Sequence, residues 1–189
     1  MGLDMYLSCN SKPLTDKVHE GGPYGEYATD FYRGRGIVMY WRKDNAIHKW
    51  FVDNVQNGVD DCGEYEVSIE QLRDLMDTCK MVIKSCKLVD GMVTNGITYS
   101  GGRVERNMQE GMVVDDPEVA AELLPTTDGF FFGGTDYDQW YYEGVRRTAE
   151  EIERLLGFLE MRQESWGGEY AVMPSEPDWR VVFRYQSSW

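Results

Sequence analysis

The residues able to do chemistry crowd into one stretch, Tyr40-Trp41-Arg42-Lys43-Asp44-Asn45-Ala46-Ile47-His48-Lys49-Trp50-Phe51. From Arg33 to Lys49 there are five cations (Arg33, Arg35, Arg42, Lys43 and Lys49) and one acid, Asp44, a local balance of +4 in a chain whose formal net charge is -14. A cationic, aromatic island on an acidic protein attracts a small anion, while the remaining surface repels an extended polyanion such as duplex DNA. Arg42 and Lys43 are the candidate contacts to phosphate or carboxylate. Tyr40 or Trp41 offers a flat face to a base, and Asn45 and His48 are candidate readers of polar edges.

The elements that must position these groups can be read around them. Gly36 to Trp41 is β-branched and aromatic, which predicts a strand, and Asp44 or Asn45 can cap a helix running to about Val55. On that helix Ala46, Ile47, Trp50, Phe51 and Val55 form the apolar stripe, whereas Asn45, His48, Lys49 and Asp53 share the polar side. Arg42 and Lys43 then precede a helix N-terminus, where free N–H groups favour an anion. A second candidate site lies between Phe130 and Tyr142, a strand-to-helix junction presenting Thr135, Asp136, Tyr137, Asp138, Trp140 and Tyr141. Asp136 and Asp138 there are either ligand acceptors or helix caps. Convergence of the two junctions on one pocket is an expectation that nothing in the sequence proves.

Several chemistries are disfavoured. The chain has two histidines, His19 and His48, and lacks the GxSxG, HExxH and Gly-Lys-Ser/Thr signatures of common hydrolases, metalloproteases and nucleotide triphosphatases. Four cysteines form no CxxC pair, and the carboxylates at 60, 61, 64 and 66 do not match a calcium-binding helix-loop-helix, so neither a metal nor a cofactor is expected. Cys79 and Cys86 fall on an apolar helix face and read as buried thiols. No stretch approaches the ~20 apolar residues of a membrane span, and a cytoplasmic protein is expected.

A 189-residue chain with 42% hydrophobic residues is most simply one folded domain, with variable loops near 10–35 and 90–115. Leu3, Met5 and Leu7 alternate with Asp4 and Tyr6 in a half-buried strand. Residues 10 to 35 read as a long connection with a short edge strand around Tyr24 to Tyr32. Ser68-Ile69-Glu70-Gln71 has the form of a capping box opening a helix to about Leu88. Glycines between 90 and 115 predict turns or an irregular insertion, and Asp116-Pro117 starts a short helix that ends before Pro125. Gly129-Phe130-Phe131-Phe132-Gly133 reads as a buried strand, followed by a long helix from about Asp136 or Asp138 to Gln163. A C-terminal hairpin is expected from Tyr170–Met173 and Trp179–Tyr185. The fold class is α+β, an antiparallel or mixed sheet of about four or five strands covered by three main helices.

Three motifs carry a resemblance over most of the chain. Met1-Gly2-Leu3-Asp4-Met5-Tyr6-Leu7, the Tyr40 to Phe51 stretch, and Leu123-Leu124-Pro125-Thr126 leading to Gly129-Phe130-Phe131-Phe132-Gly133 resemble a widespread family of small phage and prophage proteins. Some members carry an automated label of phosphoglycerate kinase, which a chain this short, without the nucleotide-binding pattern of such a kinase, does not support. The resemblance implies a phage-associated cytoplasmic protein and supplies no catalytic residues.

The leading expectation is a phage counter-defence protein that sequesters a small anionic, nucleotide-derived ligand. The alternatives are an acidic, DNA-imitating inhibitor of a host nuclease, and a small nucleotide-processing enzyme using His48 with a carboxylate such as Asp136. A host defence protein is the expected macromolecular partner. Six Trp and twelve Tyr leave room for a homodimer interface.

Overall fold

The computed structural model describes residues 2–20, 34–166 and 181–189. Its fold is α+β: a four-stranded antiparallel sheet, a separate two-stranded ribbon and five helices among the described residues. The sheet has the order β2 (Gly36–Arg42), β1 (Asp4–Cys9), β6 (Phe183–Ser188), β3 (Glu64–Val67).

Side chains alternate across a strand, so the register decides what each face presents. Met5 pairs with Trp41 and Ser187, and Leu7 with Met39 and Tyr185. These residues, with Phe183 and Val67, are buried. The opposite face carries Asp4, Tyr6, Tyr40, Arg42, Arg184, Glu64 and Glu66, joined by Arg42–Asp4 and Arg184–Glu66 ion pairs at 2.8 and 3.1 Å.

The helices meet the apolar face. The expected connection over residues 10 to 35 instead begins with α1 (Lys12–His19), in which Pro13 occupies the first turn, where its missing N–H costs nothing. Leu14 and Val18 are buried, and Thr15 lies so close to β2 that a Cβ at Gly36 would sit 2.3 Å from its methyl group. The edge strand expected at 24–32 lies outside the described residues. Helix α2 (Asn45–Asn54) stacks Phe51 on Tyr185 with ring centroids 3.9 Å apart. Helix α3 (Ile69–Ser85) opens on the expected capping box, Ser68 and Gln71 each accepting from the other's backbone N–H. It packs Leu72, Leu75, Cys79 and Val82 against the core beside the 28-residue α5 (Gln139–Trp166). Between them, α4 (Glu118–Leu123) follows Pro117.

Residues 90 to 115 are not irregular. They form a long ribbon of β4 (Leu88–Ser100) and β5 (Arg103–Val114), and the glycines that read as interruptions build it. Gly101 and Gly102, at φ 57° and 76°, make the two-residue turn whose twist matches a hairpin. Gly91 faces Gly111 across the strands, where the side chains of Val113 and Val93 occupy the space a Cβ would need. Gly96, at φ 101°, sits in a bulge between Thr94 and Ile97.

Gly129 to Gly133 is a loop and not the expected buried strand. Phe131 has φ 67°, Phe132 turns into the core and Phe130 turns out. The first strand of the expected C-terminal hairpin lies outside the described residues, and its second arm is seen as β6. No helix among the described residues is long and apolar enough to cross a membrane.

Candidate functional site

β2 ends at Arg42, and Lys43 turns the chain into α2 with φ 60°, a left-handed conformation rare for a residue bearing a side chain. The Lys43 N–H donates to the carbonyl of Leu3 at 2.8 Å, and the Leu3 N–H donates to the carbonyl of Phe131 at 3.3 Å. The backbone just before β1 thus runs between the β2–α2 turn and the phenylalanine loop. Gly133, at φ 97°, lies so near that an added Cβ would be 3.1 Å from the Lys43 Cβ. The two junctions are therefore adjacent, at the 130–134 end of the second one.

Asn45 fastens them together. Its Nδ2 donates to the carbonyls of Gly134 at 2.7 Å and Phe132 at 3.3 Å, and its Oδ1 accepts from the Thr127 N–H at 3.1 Å. Its amide is thereby committed to the fold. The expected polar side of α2 is overturned at Asn45 and His48, which are both buried, because the phenylalanine loop and β6 pack where solvent was expected.

His48 is fully enclosed. Its Nδ1 is 2.8 Å from the Tyr185 hydroxyl and its Nε2 is 3.0 Å from Asp60 Oδ2. Phe132 presents its ring to the imidazole at 5.2 Å, and Asp60 also accepts from Trp189 Nε1 at 3.1 Å. Burial, with the Asp60 charge adding to it, pushes the Tyr185 hydroxyl well above its ordinary pKa. This chain of polar groups has no exposed nucleophile. His48 thus pairs with a carboxylate, and that carboxylate is Asp60 and not Asp136, the example named from the sequence.

Trp41 is also internal. The strand's alternation aims it at the helices, where its Nε1 donates to Thr148 Oγ1 at 2.9 Å. It has no face for a base. Tyr40 points to the other side, beside Tyr6 and Asp4, with its hydroxyl donating to Asp4. Burial and the Asp4 carboxylate raise its pKa.

The cationic island is largely neutralised, two of its cations by acids distant in sequence and one by a neighbour on the same helix. Arg35 pairs with Glu64, Arg42 with Asp4, and Lys49 with Asp53. Arg33 lies outside the described residues. Lys43 alone of the four described cations makes no ion pair among the described residues, and its side chain is exposed. Nor is the start of α2 an open anion site. The Asp44 carboxylate is buried there against Arg147 at 2.9 Å, in a space left by Gly144, whose added Cβ would lie 2.1 Å from Asp44 Oδ1. Burial, outweighing Arg147, raises the Asp44 pKa to about 6.

In the second constellation Asp138 serves as the cap of α5, accepting from the N–H groups of Trp140 at 3.0 Å and Tyr141 at 3.1 Å. Burial raises its pKa against those bonds. Asp136 turns to the ribbon, accepting from Thr94 Oγ1 at 2.8 Å and Arg106 at 3.3 Å.

What remains facing outward at the joined junctions is Arg42, Lys43, and the ring pair Phe130 and Phe131, whose centroids are 4.2 Å apart. Phe130 is 79% exposed and Arg42 is half exposed. Sequence reasoning missed these rings because three consecutive phenylalanines read as a buried strand. Their flanking glycines, Gly129 and Gly133, were the available signal for a loop. No group of three or more His, Cys, Asp or Glu among the described residues is arranged to hold a metal. Comparison with family models, curated proteins and solved structures gives no match for this chain.

Proposed function

We propose that the protein binds and sequesters a small anionic ligand bearing a flat ring, of the nucleotide-derived class, at the surface formed by Arg42, Lys43, Phe130 and Phe131. The observation that carries this reading is the exposed pair of phenyl rings on a loop joined through the Leu3 backbone to the backbone of Lys43, whose side chain is also exposed. Stacking on an aromatic ring contributes about 1–3 kcal/mol per base. A charged donor adds a hydrogen bond of about 1.5–3 kcal/mol. Arg42 joins when the ligand's phosphate competes with Asp4 for its guanidinium. Sequestration is favoured over turnover because the described histidines are tied up internally: His48 is buried, and His19 is bonded to the Ile37 carbonyl at 2.8 Å. The motifs that resemble phage proteins fit a counter-defence role for such binding. Imitation of DNA receives less support, since three exposed acids of α5 are paired, Glu143 and Glu150 with Arg146 and Glu153 with Lys80.

Native mass spectrometry of the protein with mono-, di- and cyclic nucleotides tests the reading. A single bound ligand is expected, with affinity falling about tenfold or more in Lys43→Ala and in Phe130→Ala at unchanged melting temperature. Binding to none of these, or binding indifferent to both substitutions, defeats it.

A further inference from the structure

The β4–β5 ribbon stands apart from that surface, and its two edges differ. Near the body the β5 edge is taken by the chain itself. Val113 bridges Asp138, the Val114 N–H donates to the Tyr137 carbonyl at 3.0 Å, and the Met112 N–H donates to Gln139 Oε1 at 2.9 Å. Farther out β5 carries Arg103, Glu105, Arg106 and Glu110. The β4 edge has no strand against it among the described residues. Residues 91–102 contain no charge and no proline, in a chain that is 28% charged. Folded proteins ordinarily blunt a free edge with charge, proline or short length. β4, 13 residues long, has no charge or proline over that stretch, and its one bulge, between Thr94 and Ile97, leaves Ile97 to Ser100 in regular register.

We infer that two copies of this chain pair edge to edge along the outer half of β4. Beyond the bulge at Gly96 the strand runs regularly from Ile97 to Ser100, with Ile97 and Tyr99 on one side and Tyr99 78% exposed. An antiparallel two-fold centred on Thr98 sets Ile97 of each copy opposite Tyr99 of the other and Thr98 opposite itself. Aromatic to β-branched and threonine to threonine are favourable cross-strand pairs, so the segment is complementary to its own image. Alternate backbone N–H and C=O groups along the edge gain partners at the same time.

Charge also selects this contact. Two bodies of net charge -14 repel, but the paired segment is neutral. Asp136 ties the ribbon to the body at Thr94 and Arg106, and the four residues from Thr94 to Thr98, at ~3.3 Å per residue, set the contact roughly 13 Å beyond Thr94. That exceeds the ~8 Å over which charges act at physiological salt.

Sedimentation velocity over a concentration series tests the pairing. The protein is expected at twice its 21.8 kDa chain mass, dissociating on dilution. Thr98→Lys places two ammonium groups face to face and is expected to raise the dissociation constant by about tenfold or more. Mixing Thr98→Lys with Thr98→Glu restores a dimer containing one of each, resolved by native mass spectrometry. Thr98 is exposed and its hydroxyl meets Asn107 on the ribbon surface at 3.0 Å, so both variants are expected to keep the fold of the body, checked by their thermal melts. A monomer at every concentration overturns the inference, as does a dimer indifferent to Thr98→Lys, or a monomer that accepts only an unrelated strand on β4.

Discussion

Asn45 Nδ2 lies 2.7 Å from the Gly134 carbonyl oxygen, a hydrogen bond that spans 89 positions and joins the first turn of α2 to the loop carrying the exposed phenyl rings. Replacing Asn45 with Ala strands that carbonyl, the Phe132 carbonyl and the Thr127 N–H. A loss of about 2–4 kcal/mol is expected in urea unfolding, since each buried group left unpaired costs its desolvation. Ligand binding should weaken as well, because Phe130 and Phe131 lose the anchor of their loop. Unchanged stability would show that the three bonds are not made.

Gly144 inverts an ordinary rule. Glycine to alanine within a helix usually stabilises by about 1 kcal/mol, but a Cβ here would lie 2.1 Å from Asp44 Oδ1. Gly144→Ala must push Asp44 away from Arg147, and a destabilisation of about 1–3 kcal/mol is expected from overpacking. The double variant Gly144→Ala with Asp44→Ala should recover much of that loss by removing the clash. Thermal melts of the three variants give the comparison.

Glu151 is buried on α5, and both its carboxylate oxygens lack a hydrogen-bond partner. Burial, against a smaller opposing effect of Arg154, raises its pKa from 4.5 to about 8. The folded state therefore holds the proton more tightly than the unfolded chain. This contribution is fully present below pH 4.5 and is lost as pH rises toward 8. Over that window stability should fall by on the order of 2–4 kcal/mol. Asp44, raised to about 6, adds a decline of the same sign at lower pH. In Glu151→Gln the decline between pH 6 and 8 should largely vanish, as measured by denaturant unfolding across that range. A slope equal to the parent's would mean that Glu151 is ionised throughout.

Tyr185→Phe keeps the stack on Phe51 while removing the partner of His48 Nδ1. The expected cost is about 1–2 kcal/mol in urea unfolding. Asp60→Asn disturbs the other ring nitrogen, and the two effects should be non-additive because one imidazole links them. Strict additivity would separate the two bonds.

The periodicities in the sequence specified much of the framework. The alternation of Leu3, Met5 and Leu7, the capping box at Ser68 and the helical spacing of Val145, Ile152, Leu155 and Leu156 in α5 each encode a local conformation together with the face to be buried. The same local information left the candidate site only partly legible. It located the turn at Arg42–Lys43, where a β-branched run gives way to a helix start, and Asp138 was readable as a cap.

Tertiary structure decided which of those groups face solvent. Antiparallel pairing with β1 turned Trp41 toward the helices and Tyr40 and Arg42 to the opposite face of the sheet, a parity that only the partner strand establishes. Acids far away in sequence, Asp4 and Glu64, neutralised the cations, since an ion pair depends on distance in space. Packing of the phenylalanine loop over α2 enclosed Asn45 and His48 and left Phe130 and Phe131 outside. The glycines of 91–111 became a ribbon for a related reason. A glycine read alone signals a turn, whereas one facing another glycine across two strands, under the side chains of Val93 and Val113, makes room for close packing.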